Sequence, residues 1–494
     1  MQRVPGIARS TSHLPLLGAV ILLAAVLRLL FLGAESLWLD EAFSVSLARA
    51  RWDWFLKVLF NKEANMALYH VLLRFWLSLG ESEFFVRSLS VLPAVLTVPV
   101  LYALGVRLFD TRVGLLAALL IALNEFHIEY AQEARSYSLT VLLVTLSSLF
   151  FVRSIERPSR KDWAAYVLTS ALAVYSHFFG ALVLAAHWAS VLFLKRRNVP
   201  WKGLVASTAL IGLLLLPLGV FTLTGVQTQI SWIRPPEVAD VGKLFLTMAG
   251  GPLLLIVYSV PCLLALTVAA RRSRPAGAPR EIWRHGLLVI WLFLPVTLAL
   301  GVSAVKPLFV ERYLIVCLPP FLILAALGLS RLKSRLILAG ALIAIVGLAA
   351  PQLFAYYRPF HKDDWRGATQ YVLSQAKSAD AVLFFPDFIR RPFDYYRDRL
   401  QGSREGPSVV FPSVESSRFE APSMPTPSDI LLERLPVHYD RVWLVLKGHQ
   451  PASGDTISRS IQESLGSHFA LVRGRTFTEN RIIVQLYSKI PVTR

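Results

Sequence analysis

Apolar runs of about twenty residues, many closed by a short cluster of basic side chains, recur along this chain and leave it few ways to fold. A run of that length matches the hydrocarbon core of a bilayer, where a backbone must satisfy its own hydrogen bonds and so forms helices. Such runs lie at 14–33, 84–107, 113–126, 136–153, 163–178, 180–194, 203–224, 243–270, 286–305, 312–330 and 336–355, about eleven expected transmembrane helices. Composition agrees: only 17% of the 494 residues are charged, 55% are hydrophobic and the mean hydropathy is +0.53, whereas soluble domains carry about a quarter charged residues.

The net charge of +19 would suggest nucleic acid in a soluble chain. Here much of the excess lies between apolar runs, in Arg153/Arg157/Arg160/Lys161, Lys195/Arg196/Arg197, Arg271/Arg272/Arg274 and Arg331/Lys333/Arg335. That is the pattern of cytoplasmic loops, no nucleic-acid motif accompanies it, and nucleic acid is not an expected partner. With Arg3 and Arg9 inside, alternation puts every one of these clusters in the cytoplasm. It then puts the loops carrying Asp40, residues 127–135, residues 306–311 and the whole C-terminus outside. No small-residue cleavage site follows the first run, which is expected to remain as an anchor. Cys262 and Cys317 lie in apolar runs and offer neither a disulfide framework nor metal-ligand spacing.

The first external loop, about 34–83, mixes aromatic, aliphatic and basic residues at helical spacing over 51–60 and 64–79, as interfacial amphipathic helices do. Residues 227–240, with Trp232 and Pro235-Pro236, read as a mobile lid. After Tyr357 the pattern changes to a helix at 363–375, apolar strands at 381–385, 408–411 and 442–447, helices at 429–435 and 455–465, and a strand pair 469–477 and 481–489 around Glu479-Asn480. Residues 403–427 read as a loop. The expected architecture is an α-helical polytopic membrane protein over 1–357 with a small C-terminal extracytoplasmic α/β domain over 358–494. The C-terminal part contains no Gly-rich phosphate loop.

Four external patches carry groups capable of chemistry. Asp40-Glu41 follow the first run beneath an aromatic anchor, Trp38, in the layer where lipid head groups sit. They read as a general base or metal ligand, or more simply as acids complementing a helix N-terminus. The second patch, Asn124-Glu-Phe-His-Ile-Glu-Tyr-Ala-Gln-Glu-Ala-Arg-Ser-Tyr137, combines Glu125, His127, Glu129, Glu133 and Arg135. If helical, its three glutamates share one face that Tyr137 continues. In the third, Lys306, Arg312 and Tyr313 precede a run, and cations on the outer side need an anion. A phosphate suits the planar fork of Arg312. The fourth is Lys62-Glu63-Ala-Asn65 with Tyr69-His70, together with His177 at the outer end of a run. No HExxH, GxSxG or paired CxxC signature points to a metalloprotease or serine hydrolase.

Three motifs make the chain similar to the GT-C glycosyltransferases: Trp38-Leu-Asp40-Glu41-Ala-Phe, Tyr130-Ala-Gln-Glu133-Ala-Arg135-Ser-Tyr137, and Glu311-Arg312-Tyr313-Leu-Ile-Val-Cys-Leu-Pro319. The resemblance is to the bacterial branch of protein O-mannosyltransferase-like and aminoarabinose-transferase-like enzymes (glycosyltransferase family 39-like). It covers about 14–375 and is supported by Asn65-Met-Ala-Leu-Tyr69-His70 and Asp364-Trp365-Arg366. The aminoarabinose branch tends to carry Pro-Pro where this chain has Met66-Ala67, a departure that bears on lipid A as acceptor.

The resemblance implies transfer of a sugar from a polyprenyl-phosphate donor to a lipid, glycan or protein acceptor at the outer face of the cell (inner or plasma) membrane. Asp40 is then the base or acceptor-orienting group, with Glu41 beside it. Arg135 and Arg312, with Lys306 and Tyr313, would hold the donor phosphate. Some relatives use a divalent metal, a role that His127, Glu129 and Glu133 could fill. Tyr69, His70, Tyr137 and His177 are further candidates for contact with substrate or metal. A carrier or flippase for the same lipid and a structural subunit of an envelope assembly are the alternative readings. Against the carrier stand the absence of a two-half repeat and of paired broken helices.

Overall fold

The computed structural model describes residues 13–224, 233–272, 279–358, 362–401, 406–412, 426–448, 452–478 and 481–491. In chain order the membrane part comprises α1 (Leu14–Leu29), α2 (Leu39–Arg49), α3 (Trp52–Asn61), α4 (Ala67–Trp76), α5 (Glu83–Leu108), α6 (Thr111–Leu123), α7 (Glu125–Ala131), α8 (Tyr137–Glu156) and α9 (Arg160–Ser176). It continues with α10 (Gly180–Ser190), α11 (Trp201–Leu214), α12 (Leu216–Thr224), α13 (Val238–Ala249), α14 (Pro252–Arg272), α15 (Pro279–Ser303), α16 (Leu318–Ser330) and α17 (Arg335–Tyr356). Polar side chains start several of these helices by accepting from free N–H groups: Ser82 from Phe85 at 3.2 Å, Asp110 from Val113 at 2.9 Å and Ser159 from Asp162 at 3.0 Å.

Among the described residues, five helices are long and apolar enough to cross a bilayer, or seven if two bent pairs each count as one span. The run expected over 113–126 is one of these pairs. Asn124 caps α7 by accepting from His127 N at 3.0 Å, and the chain turns 60° there. Arg28 of α1 closes the other side of the break, donating to the Ile121 and Ala122 carbonyls at 2.9 and 3.1 Å. The run expected over 243–270 breaks by 86° between α13 and α14, so two broken helices stand where the sequence showed no such pair, and their expected absence no longer counts against a carrier. Gly250 and Gly251 there have φ of +87° and +124°, a region open to glycine, and a Cβ on Gly250 would meet Gln352 Oε1 at 2.8 Å. The runs at 14–33, 180–194 and 203–224 become shorter apolar helices: Leu14–Leu29, Gly180–Phe193 and Trp201–Leu214. Arg3, Arg9, Arg274, residues 227–232 of the expected lid, and Glu479-Asn480 lie outside the described residues, as does most of the 403–427 loop.

The helix ends sort into two groups. At one end Glu156 pairs with Arg107 at 2.7 Å and Arg284 at 2.6 Å, Arg153 pairs with Asp162 at 2.7 Å, and Arg112 donates to the Leu332 carbonyl at 3.1 Å. At the other end α2, α4, the start of α8 and the segment before α16 meet around Asp40.

The C-terminal segment adds α18 (Trp365–Gln375), β1 (Ala381–Phe385), α19 (Arg390–Gln401), β2 (Ser408–Phe411), β3 (Arg441–Lys447), β4 (Phe469–Phe477) and β5 (Ile482–Lys489), with helices Asp429–His438 and Ala452–Gly466 before and after β3. The sheet order is β2-β1-β3-β5-β4; β1 is parallel to β2 and β3, while β5 is antiparallel to β3 and β4. Alternation along β1 splits its side chains between two faces. Ala381, Leu383 and Phe385 pack under the Asp429–His438 and Ala452–Gly466 helices. Val382 and Phe384 join Trp443 and Val484 in one core with Leu37, Val45, Tyr69 and Leu73 of the first loop.

That loop is fixed by a buried ion pair. Arg87, in the second turn of α5, forks onto Glu41 with Nε to Oε1 and Nη2 to Oε2, both at 2.8 Å. Its remaining hydrogens reach the carbonyls of Leu32 and Glu35 at 2.9 Å and Ser36 at 2.8 Å. Glu41 also accepts from Ala134 N at 2.9 Å, Trp38 N at 3.3 Å and Lys362 Nζ at 3.4 Å. Burial alone would raise this carboxyl; Arg87, Lys362 and the Ala134 N–H more than offset it and hold the pKa at about 2, below the ordinary 4.5. Removing one member of such a pair strands a buried charge, at about 3–5 kcal/mol. We therefore expect Glu41→Gln and Arg87→Met each to lower the unfolding midpoint of the detergent-solubilised protein by that equivalent. Because the folded pKa is depressed, the Glu41 contribution is present above pH 4.5 and lost as pH falls towards 2. Acid titration of the midpoint should show this loss in the wild type and not in Glu41→Gln.

Candidate active site

Asp40 and Glu41 are adjacent in the first turn of α2, so their side chains leave the helix about 100° apart. Glu41 turns inwards to Arg87 and is fully buried, whereas 26% of the Asp40 side chain stays exposed. Asp40 Oδ2 lies 3.8 Å from Arg135 Nη2 and 3.8 Å from Arg312 Nη2. One carboxylate between two guanidinium groups leaves one positive charge over, and at 3.8 Å neither arginine closes a direct hydrogen bond on it. Asp40, Arg135 and Arg312, which lie in three separate patches of the sequence, come together here.

Each arginine is set by local structure. Arg135 sits in the loop between α7 and α8, which is held by the Ala134 N–H on Glu41 and by the Ser90 hydroxyl on the Arg135 carbonyl at 3.1 Å. Its Nη1 reaches the Ser44 hydroxyl at 3.4 Å, and that hydroxyl donates to the Asp40 carbonyl at 2.9 Å. Arg312 is the second residue of a 3₁₀ segment, Glu311–Cys317. Its neighbour Glu311 is turned away to Lys243 at 2.8 Å and Thr247 at 3.2 Å. The Arg312 guanidinium stands 6.0 Å from the Trp38 ring centre and 5.8 Å from that of Tyr313, within cation–π range. The Tyr313 ring packs with His177 at 4.9 Å, Phe179 at 5.4 Å and Tyr137 at 6.5 Å. Asn65 orients this group, with Nδ2 3.4 Å from His177 Nε2 and Oδ1 accepting from Phe178 N at 2.9 Å.

Polar atoms buried without a partner are rare in folded proteins, yet among the described residues several gather here. They are Trp38 Nε1, both ring nitrogens of His70, Glu133 Oε2, Arg135 Nε, Ser136 Oγ and the Tyr137 hydroxyl. Such a set suits a polar ligand. Burial, with Arg135 adding to it, lowers the His70 pKa to about 3 and keeps its imidazole neutral. Burial, then Glu41 and Glu129, raise Glu133 to about 7, with Lys362 and Arg312 opposing.

Other expectations need correction. The acidic stripe is interrupted because α7 ends at Ala131, leaving Glu133 and Tyr137 off its face. His127 Nδ1 lies 2.7 Å from Arg28 Nη2, and a guanidinium there repels a cation. Among the described residues no group of three acidic, His or Cys side chains is placed to hold a metal ion, so His127, Glu129 and Glu133 do not form the expected metal site. Glu41 has its oxygens engaged in the structural pair. Tyr69 lies in the core with its hydroxyl 2.9 Å from Ser90 Oγ, supporting the Arg135 loop from behind. Lys306 is half-buried and forms no ion pair among the described residues.

Three residues near the site went unread in the sequence: Arg87, Lys362 and Arg391. A charge inside an apolar run was a signal for Arg87, whereas Arg391 lies in a stretch whose helical character the apolar spacing did not show. Lys362, alone after the last long helix, gave none.

Residues 66–221 match the model of the dolichyl-phosphate-mannose-protein mannosyltransferase family. No curated protein matches the chain by sequence. In fold it is similar to ArnT from Cupriavidus metallidurans bound to undecaprenyl phosphate, with a TM-score of 0.63 at 13% identity over 97% of this chain and 98% of that one. It is also similar to the Archaeoglobus fulgidus oligosaccharyltransferase tethered to an acceptor peptide, with a TM-score of 0.53 at 14% identity over 98% of this chain and 75% of that one. The A. fulgidus oligosaccharyltransferase AglB in complex with an inhibitory peptide and a dolichol-phosphate gives a TM-score of 0.53 at 11% identity over 99% and 76%. The family match over residues 66–221 and the similarity in fold to these glycosyltransferases agree with each other.

Proposed function

We propose that the protein transfers a sugar from a polyprenyl-phosphate donor to an acceptor on the extracytoplasmic face of the membrane, by single displacement with inversion. The observation that carries this reading is Asp40 held 3.8 Å from both Arg135 and Arg312 at one end of a helical bundle. The positive charge left over suits the monoanionic phosphodiester of such a donor. Structures with the same fold that hold undecaprenyl phosphate or dolichol-phosphate agree with that choice of lipid.

In this mechanism an acceptor O–H or N–H attacks the anomeric carbon and its proton passes to Asp40. The bond from the anomeric carbon to the phosphate oxygen breaks, its electron pair stays on the phosphate, and polyprenyl phosphate leaves with one more negative charge. Arg135 and Arg312 stabilise that charge as it develops. A double displacement would need a second free carboxylate as nucleophile. Glu41 is unsuited to that role because Arg87, Lys362, Ala134 and Trp38 already occupy its oxygens. For sidedness, the end bearing Arg107, Arg112, Arg153 and Arg284 would face the cytoplasm, as basic clusters do.

Asp40→Asn should cut release of polyprenyl phosphate from the sugar donor by about 10²–10⁴-fold, the usual worth of a placed base, and leave undecaprenyl phosphate binding intact. Arg135→Ala and Arg312→Ala should weaken that binding by about 10–100-fold. Near-normal turnover in Asp40→Asn would remove Asp40 from the mechanism. The folded pKa of Glu133 is raised, so its contribution to stability is full below pH 4.5 and lost as pH rises through about 7. The wild-type unfolding midpoint should therefore fall across that window, and Glu133→Gln should flatten the fall. A cysteine replacing exposed Val472 on β4 should react with a membrane-impermeant maleimide in intact cells; labelling only after lysis would reverse the orientation.

A further inference from the structure

Asn65 lies in a single 3₁₀ turn, Ala64–Met66, ahead of α4, and His177 directly follows α9. Their side chains meet, with Asn65 Nδ2 3.4 Å from His177 Nε2. Backbone N–H groups fix the identity of each atom. Phe179 N donates to His177 Nδ1 at 3.2 Å, so Nδ1 presents a lone pair and the ring proton sits on Nε2. Phe178 N donates to Asn65 Oδ1 at 2.9 Å, so the amide cannot be turned round and its NH₂ faces the imidazole. Both atoms of the 3.4 Å contact are therefore donors.

Two donors face to face gain nothing from each other, and among the described residues neither has an acceptor. His177 is only 2% exposed, so water reaches its N–H poorly. A buried donor left unmet is costly, and one oxygen placed between the two N–H groups would satisfy both. The surroundings indicate what carries that oxygen. The His177 ring packs on Tyr313 at 4.9 Å and on Tyr137 at 5.9 Å, and the Tyr137 hydroxyl is likewise buried without a partner. Tyr313 in turn lies 5.8 Å from the Arg312 guanidinium. Aromatic rings with a few directed polar groups suit a sugar, whose C–H faces are apolar and whose rim is hydroxyl. A sugar bonded to a phosphate at Arg312 also lies close to the ring of the next residue, Tyr313.

We propose that Asn65 and His177 are specificity-determining residues that donate together to one hydroxyl oxygen of the transferred sugar. This rests on the transferase reading above and adds the chemistry of the sugar at that position. The pair calls for an acceptor, which a hydroxyl offers and a protonated amine does not. Neither member is charged, so the pair reads the sugar without competing with Arg135 and Arg312 for the phosphate.

The test uses the full-length protein in detergent, with undecaprenyl phosphate as the bare lipid and undecaprenyl-phosphoryl-glucose, -galactose and -mannose as its sugar-bearing forms. The wild type should bind at least one sugar-bearing form more tightly than the bare lipid. His177→Phe keeps a ring against Tyr313 but removes the N–H. It should reduce that preference about 5–10-fold and change bare-lipid affinity less than about twofold. Asn65→Asp keeps the acceptor for Phe178 N and puts an oxygen against the His177 N–H. It should reduce the preference to the same extent yet raise the ligand-free unfolding midpoint, because a donor then meets an acceptor. A lowered midpoint in Asn65→Asp would show His177 Nε2 to be an acceptor and overturn the proposal. No sugar preference in the wild type, or an unchanged preference in both variants, would overturn it too. Failure of every lipid, bare or glycosylated, to bind would instead count against the transferase reading. The ligand-free midpoint of Asn65→Asp would still decide whether two donors face each other.

Discussion

The site depends on one buried fork. Arg87 grips Glu41 with two hydrogen bonds of 2.8 Å and uses its other hydrogens on three carbonyls of the chain that follows α1. Through Ala134, Glu41 also fixes the loop that bears Arg135. A bidentate, fully desolvated pair of this kind is geometrically strict, and here it sets the start of α2 relative to α5 and α8. Asp40 is the next residue round the helix, so its direction is inherited from its neighbour. One carboxylate is immobilised so that the other can face a ligand.

Lys362 and Arg366 extend this logic to the C-terminal segment. Lys362 reaches Glu41 and the Gln132 carbonyl, and Arg366 pairs with Glu83 at 2.8 Å at the foot of α5. The Tyr396 hydroxyl accepts from Leu37 N at 2.7 Å, just before α2. These contacts surround the base of the Asp40 helix from the side opposite the bundle, which places α19 and Arg391 against it.

Much of this was legible in the amino-acid order. Charged residues at or just beyond the ends of apolar runs pointed to Asp40, Arg135 and Arg312, since a charge at that depth needs a reason. The strands β1, β2, β3 and β4 read clearly as short apolar or alternating runs. Two breaks were missed although their signals were present, an Asn at 124 and a Gly-Gly at 250–251, because hydropathy sums over a window and does not register a turn. The division of labour between Asp40 and Glu41 was not legible, since adjacent residues differ only in helical direction and Arg87 lies 46 positions away. The helix α19 was also missed, because its polar, arginine-rich first turn lacks the apolar spacing that marks α18.

One face of the C-terminal sheet shares its hydrophobic core with the first loop, so that Val382, Phe384 and Trp443 touch the same cluster as Leu37, Tyr69 and Leu73. This segment is therefore not a detachable cassette. Expressed alone it would present a raw apolar surface to water, and swapping in the corresponding piece of a distant homologue would require matching loop residues to travel with it. Sequence drift in the sheet and in the first loop is accordingly coupled, since both halves of that shared core must change together.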